Sequence, residues 1–139
     1  MDHAQGETDI VKMLAHLQPI LSEEKYVYCI LDHVQTPDFP VWATIREQEG
    51  LTLIMKQEEA DRQALSYEGF WSRITLSVHS SLHAVGLTAV VSKQLSDAGI
   101  SANIVAGYYH DHIFVQTGKA ELACALLQQL VRRKEVGIR

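Results

Sequence analysis

Residues in the second half of the sequence could together hold both charges of a small zwitterion. Gly86 lies near the start of a predicted helix, so a ligand could approach the backbone N–H groups of Gly86, Leu87 and their neighbours. Those donors and the positive end of the helix dipole suit a carboxylate, whereas Asp111 suits an ammonium group. A carboxylate and an ammonium group together describe an α-amino acid. Four further candidate ligand-binding residues lie beside them in the sequence: Ser80, Ser81, Tyr108 and His110.

Gly86 and Asp111 also have structural explanations. A glycine at a helix start permits close packing of that helix on a sheet. An aspartate at a strand end can stabilise a turn through its own backbone. Both interpretations remain open from the sequence.

The histidines form a second candidate site, because seven of them occur in 139 residues. His79 and His83 are four residues apart, and His110 and His112 are two apart on one predicted strand face. If the strands are adjacent, these rings could bind Zn²⁺ or another transition metal, with Asp111 nearby. Solvated or hydrogen-bonded histidines explain the same spacing, so we predict no metal and no other cofactor.

The patterns of known catalytic sites are absent or incomplete. Ser80 or Ser81 with a histidine and Asp111 could imitate a nucleophile triad, but no G-x-S-x-G motif is present. Cys29 lies inside a predicted strand, where a nucleophile is poorly placed. The pair Gly118-Lys119 lacks the upstream glycine of a phosphate-binding loop. We therefore predict that the protein is not an enzyme.

Composition limits the class of protein and its partners. The chain is 47% hydrophobic and 21% charged, which is typical of a globular protein. Its net charge of −5 argues against nucleic acid as a partner. No apolar run approaches the ~20 residues of a membrane span, and the polar, acidic N-terminus does not resemble a signal peptide. Cys29 and Cys124 lie far apart in apolar segments, so we expect buried thiols and a cytoplasmic location.

Hydrophobic periodicity predicts the elements that must position these residues. Four helices are expected to begin near Thr8, Glu58, Ser81 and Gly118. Six strands are expected at 26–31, 41–46, 51–56, 70–79, 102–107 and 111–116, with a very short seventh at 136–138. The second half thus has the ferredoxin-like order βαββα, with a possible final β. The first half has a similar order without its first crossover helix, which indicates two related α/β units, the first abbreviated.

Particular segments resemble a known domain. Residues 85–105, VGLTAVVSKQLSDAGISANIV, resemble the core of an ACT domain in their Gly-Leu helix start and their Ala-Gly-Ile-Ser corner. Residues 106–115, AGYYHDHIFV, resemble the second and third strands of tandem-ACT amino-acid sensors, in which an aspartate at the place of Asp111 helps to hold the ligand. Residues 49–54, EGLTLI, are similar to the matching segment of a preceding ACT unit.

Taken over residues 6–131, the chain resembles small bacterial tandem-ACT proteins of uncharacterised function. The resemblance implies an α+β fold of ferredoxin-like (βαββαβ) units in tandem, with antiparallel sheets and helices on one face. It divides the chain into an N-terminal helix with an abbreviated unit, 1–66, and a second unit, 67–139. The first unit lacks a helix-opening glycine like Gly86, so we expect ligand binding in the second unit.

The resemblance also implies a function. We expect a regulatory or sensor module without catalytic activity, whose ligand is an amino acid or a similar small molecule. Exposed sheet edges favour a homodimer. Because no catalytic domain is attached, the partner would be an enzyme or regulator acted on in trans. Two alternatives remain: an interaction protein whose ACT fold has lost its ligand, and a histidine-cluster metal-binding protein.

Overall fold

The elements of the chain alternate between strands and helices in the computed structural model, which describes residues 12, 14, 16–33, 35–77 and 86–135. The strands are β1 (Pro19–Leu21), β2 (Tyr26–Leu31), β3 (Ala43–Glu47), β4 (Gly50–Lys56), β5 (Trp71–Leu76), β6 (Asn103–Ala106) and β7 (Asp111–Gln116). The helices with described bounds are α1 (Gln57–Arg62), α2 (Leu87–Asp97) and α3 (Ala120–Glu135), the last preceded by a 3-10 turn, Thr117–Lys119. Residues 12, 14 and 16 are also helical, whereas the predicted start of that helix near Thr8 lies outside the described residues.

The six strands predicted with a clear pattern are all present, and their ends shift by a few residues at most. The short strand β1 is not among the predicted strands, because a proline such as Pro19 after a helical pattern indicates the end of a helix. Proline is tolerated at the first position of a strand, where its missing N–H disturbs the ladder least. The predicted strand at 136–138 lies outside the described residues, as does the segment 78–85 that precedes α2.

All neighbouring strands are antiparallel, in the order β3-β4-β2-β5-β7-β6, and β1 also pairs with β5. β2 and β5 share a single residue pair, Tyr26 with Trp71. The sheet is therefore two halves with a narrow backbone junction. β1 comes from the N-terminal part of the chain, yet it pairs Leu21 with Ile74 and so extends the sheet of the second half.

The helices cover one face of the sheet. Over the second half, α2 and α3 bury Val91, Leu95 and Leu127 against Ile74 and Ile113 of the strands. Over the first half, α1 buries Ala60 against the strands β2 and β4. Each fully buried large aliphatic side chain in these cores contributes about 1.5–3 kcal/mol relative to exposure.

The other face of the sheet carries an aromatic cluster, which consists of Tyr26, Tyr28, Trp42, Trp71 and Phe114. The ring centroid of Phe114 lies 5.0 Å from that of Trp42 and 5.5 Å from that of Tyr26, in edge-to-face geometry. Trp42 precedes β3, whereas Phe114 lies on β7, four strand spacings away. A flat sheet would separate them by about 19 Å. The sheet is therefore strongly curled, and this concave face holds its two halves together.

Candidate functional site

The predicted ligand-binding residues that the structure describes gather at one end of the second half-sheet. β5 ends at Leu76, which pairs with Asp111, the first residue of β7. Asp111 also pairs with Ala106, the last residue of β6. Because β5 and β6 run in the same direction, the helix α2 that connects them begins at the end of the sheet where β5 finishes. The start of α2 and the start of β7 thus share one end of the fold.

Gly86 is the N-cap of α2, as the resemblance to an ACT helix start implies, whereas periodicity predicts that start near Ser81. Its φ of 108° and ψ of −28° are in the left-handed region, which costs other residues about 1–2 kcal/mol. Glycine has no side chain with which to cap the helix, and the N–H groups of the first helical turn have no intrahelical acceptor. The side chain of Leu87 is only 3% exposed and packs in the core. Leu87 could therefore contact a ligand only through its backbone.

The β6–β7 connection carries three more of the predicted residues. The Gly107 N–H donates to the His110 carbonyl at 2.9 Å, which closes a tight turn with Tyr108 and Tyr109 at its tip. A Cβ at Gly107 would lie 2.8 Å from that same carbonyl oxygen, so the turn requires glycine. Tyr108 is 59% exposed and its ring lies edge-on to Tyr109, with centroids 5.1 Å apart. Tyr108, His110 and Asp111 therefore follow one another along this turn.

Asp111 is half-buried, and by strand alternation its side chain is on the helix-covered face with Ile113 and Val115. Burial raises the pKa of its carboxyl above the ordinary value, and the positive charge of His110 opposes that rise. The ion pairs among the described residues are Lys56–Glu24, Arg62–Glu59 and Lys93–Asp97. Asp111 belongs to none of these three ion pairs, and the positive charge that acts on it is that of His110.

The remaining predicted site residues cannot be placed beside these. Ser80, Ser81, His79 and His83 lie outside the described residues. His110 lies in the turn and not on a strand, and His112 points to the concave face, opposite to Asp111. Within the described ranges, no group of three or more His, Cys, Asp or Glu side chains could hold a metal ion.

Arg73, on the concave face of β5, is a polar residue whose role the sequence did not indicate. Its Nε and Nη2 each donate to the Tyr26 hydroxyl at 3.3 Å, and its Nη1 donates to the Thr75 hydroxyl at 2.6 Å. The guanidinium carbon lies 5.5 Å from the Tyr26 ring centroid and 5.6 Å from that of Trp42. Alternation along β5 predicts that Arg73 and Thr75 share a face, but their aromatic neighbours come from distant segments.

His112 extends this polar group toward the end of the sheet. Its Nδ1 lies 2.9 Å from the Thr75 hydroxyl oxygen, and its ring is edge-on to Trp42 at 5.0 Å. Burial lowers the pKa of His112, and the positive charges of Arg73 and His110 lower it further. Because Arg73 already donates to Thr75, the hydroxyl proton can be given to His112 Nδ1, which suits a neutral ring.

Two depressions flank the aromatic cluster. One is a cleft of about 350 Å³ between Pro40–Trp42 and α1, in which Glu59 is buried and accepts from Arg62 and Gln63. The other is an open groove of about 790 Å³ along Tyr28, Trp71 and neighbouring residues. The Tyr28 hydroxyl is shielded from solvent, and the described residues give it no hydrogen-bond partner. Burial raises the pKa of this phenol.

Comparison with known proteins identifies the family. Residues 5–72 match one ACT domain family and residues 71–129 match another. A solved structure from Vibrio cholerae, of unknown function and described as a possible transport protein, is 42% identical, with a TM-score of 0.78. The alignment covers 88% of this chain and 94% of that one. This chain is a tandem ACT-domain protein.

Other solved structures share the tandem ACT fold at lower identity. A protein from Agrobacterium tumefaciens is 20% identical, with a TM-score of 0.64 over 83% of this chain and 89% of that one. The regulatory subunit of aspartate kinase from Thermus flavus is 10% identical, with a TM-score of 0.62 over 81% and 96%. No curated protein sequence matches this chain significantly.

The tandem ACT assignment confirms the predicted family and fold class. ACT domains are regulatory modules that bind small ligands, and no catalytic family matches this chain. In the part of this tandem ACT-domain protein that the structure describes, no helix is long and apolar enough to cross a membrane.

Proposed function

We propose that this tandem ACT-domain protein is an amino-acid sensor that binds its ligand at the start of α2 and β7. The main support is that the half-buried carboxyl group of Asp111 and a helix start at Gly86, which has no side chain of its own to cap the helix, lie at the same end of the described structure. The backbone N–H groups at Gly86 and Leu87 would donate hydrogen bonds to the ligand carboxylate. Asp111 would accept hydrogen bonds from the ligand's ammonium group, whose positive charge would offset the negative charge of the Asp111 carboxylate.

The ligand side chain would extend toward the β6–β7 turn, where Tyr108 is exposed and His110 precedes Asp111. Ser80 and Ser81 would contribute hydroxyl groups from the segment before α2.

We propose that the chain has two units, at 1–66 and 67–139, and that the ligand binds to the second. The protein would have no catalytic activity, would lie in the cytoplasm, and would report ligand binding to an enzyme or regulator in trans. A homodimer would form through an exposed edge strand such as β3, whose last four residues are exposed.

Thermal unfolding with each of the twenty amino acids tests the proposal directly. A ligand at 100 times its Kd stabilises the native state by about 2.7 kcal/mol. For a chain of this size, that raises Tm by about 5–10 °C. A shift with one or two amino acids would support the sensor. No shift with any amino acid would sink it and favour the ligand-free interaction protein, whereas a shift with Zn²⁺ alone would favour the histidine site.

Replacing Gly86 with leucine should abolish that Tm shift, because the new side chain would cover the helix N–H groups. Gly99→Leu is a matched control at the other end of α2, since Gly99 also has a positive φ, of 74°, and open space around its Cβ position. Both variants should lose about 1–2 kcal/mol of stability to backbone strain. Only Gly86→Leu should lose ligand binding, and equal ligand shifts in the two variants would contradict the site.

Asp111 should make ligand binding depend on pH in a defined direction. The ligand ammonium pairs with the carboxylate, so the ligand-induced Tm shift should fall as pH is lowered through the raised pKa of Asp111. Without ligand the sign is opposite: because the folded pKa is above the unfolded one, Asp111 costs stability as pH rises through that interval. Asp111→Asn should therefore stabilise the unliganded protein at pH 7 while weakening ligand binding by about 10–100-fold.

The exposed Asp97, which pairs with Lys93, provides the control for this pH experiment. Asp97→Asn should leave both the ligand shift and its pH profile unchanged. A pH profile that survives in Asp111→Asn would show that a different group binds the ammonium.

A further inference from the structure

Arg73 is a half-buried cation without a paired anion in the described part of the protein. Three of the five N–H donors of the Arg73 guanidinium group form hydrogen bonds to Tyr26 and Thr75. Both acceptors are neutral hydroxyls. One N–H remains on each terminal nitrogen, and the ion pairs among the described residues do not include Arg73. Two N–H donors on the terminal nitrogens therefore remain for an anion, and carboxylates are common anionic partners of guanidinium groups.

The side chains that contact Arg73 hold its position but do not neutralise it. The faces of Tyr26 and Trp42 stabilise a cation and leave the net charge in place. Thr75 is itself held by His112, whose lowered pKa keeps the ring neutral near pH 7. Asp111 cannot compensate, because it is on the opposite face of β7 and pairs with Leu76, three residues along β5.

We propose that Arg73 binds the carboxylate of a small organic acid on the concave face, with Thr75 and His112 as positioning residues. One guanidinium surrounded by uncharged groups matches a single negative charge, which favours a carboxylate over a phosphate. The half-buried ring of Trp42 provides an apolar wall for the carbon attached to the carboxylate. This site is separate from the one proposed at Gly86 and Asp111 and does not depend on it.

A ligand bound to Arg73 would lie between the two halves of the sheet. Arg73 belongs to β5 in the second half, whereas Tyr26 and Trp42 belong to the first. Tyr26 and Trp71 form the single backbone pair between β2 and β5, two residues from Arg73. A carboxylate bound here would therefore rest on the junction of the two ACT units.

Nuclear magnetic resonance of the full chain tests this site through the Arg73 Nε–H signal and the His112 ring signals. Sodium acetate, sodium benzoate and sodium phosphate are titrated separately against sodium chloride at constant ionic strength and pH 7. Acetate and benzoate should shift the Arg73 signal saturably at millimolar concentrations. They should also raise the pKa of His112, because a bound anion offsets the charge of Arg73.

Variants separate a binding role from a structural one. Arg73→Lys keeps the charge and loses the paired donors, so its affinity for acetate should fall by about tenfold or more. Because this variant could also disturb the junction, Thr75→Val gives a second test that keeps Arg73 and should weaken acetate binding. Arg46→Lys on the exposed strand β3 should bind acetate as the unmodified protein does.

The possible outcomes each decide the proposal. Arg73 shifts that match those with chloride, or an unchanged His112 pKa, would overturn the site. Tighter binding of phosphate than of acetate would overturn its assignment to carboxylates.

Discussion

Replacing Phe114 with alanine is expected to lower the free energy of unfolding by about 3–5 kcal/mol. Phe114 is 0% exposed on the concave face, and its ring contacts those of Tyr26, Tyr28 and Trp42. The loss has two sources. The folded state loses the favourable free energy of transferring the phenyl ring from water to the core, and a cavity remains because the neighbouring rings cannot collapse into it. Urea unfolding followed by the fluorescence of Trp42 and Trp71, both in the aromatic cluster, measures the change.

Phe70→Ala is the matched control, since it removes the same ring from a position that is 40% exposed. Phe70 contacts Lys25 and Tyr67 at the surface, so this variant should lose only about 1 kcal/mol or less. Equal losses in the two variants would show that the concave face does not form a packed core. Phe114→Leu, which keeps most of the volume, should lie between them.

Replacing Gly50 with alanine should destabilise the protein by about 2–3 kcal/mol or more. Gly50 is the first residue of β4, after the β3–β4 turn, and its φ is 155°. A Cβ built there would lie 2.2 Å from the backbone carbonyl oxygen of Leu31 on β2. Since that oxygen belongs to the backbone, relief requires β2 and β4 to separate at the Leu31–Leu51 pair. Thermal and urea unfolding would both report the loss.

Gly69→Ala provides the comparison for Gly50→Ala. Gly69 has a φ of 70° but nothing within 4 Å of its Cβ position, so an alanine there would bear backbone strain without a steric clash. Gly69→Ala should therefore lower the free energy of unfolding by about 1–2 kcal/mol. A Gly50→Ala variant as stable as Gly69→Ala would mean that the close approach of β4 to Leu31 is not present in solution.

Local features of the fold were predictable because each depends on a short stretch of sequence. The ending of α2 is an example: a glycine followed by an apolar residue, here Gly99 and Ile100, is typical of a Schellman motif, and the Ile100 N–H does donate to the Leu95 carbonyl. The β3–β4 hairpin is another, because a short polar segment that ends in Gly50 separates two segments of alternating hydrophobicity. The positions of Gly86 and Asp111 at one end follow from the strand order, which alternation and helical periodicity indicated.

The features that escaped prediction depend on contacts between distant segments. The curl of the sheet brings Trp42 to Phe114, and no periodicity within either strand encodes how strongly a sheet curls. The surroundings of Arg73 come from β2, β5, β7 and the residue before β3. The strand β1 is three residues long and begins with proline, so its own β-strand propensity is low. Its pairing with β5 depends instead on the packing of Leu17 and Leu21 beneath α3.

The pairing of β1 with β5 fixes an order of events during synthesis and folding. Leu21 leaves the ribosome well before Ile74, its partner 53 positions later, so β1 must wait for β5. Meanwhile β2, β3, β4 and α1 form a loop between the two strands and can assemble first from contacts near in sequence. Once folded, that loop brings β1 and β5 together at a lower entropic cost than an unstructured chain would require. The sheet of the second half thus depends on a strand from the N-terminal part of the chain, and this half is the last to close.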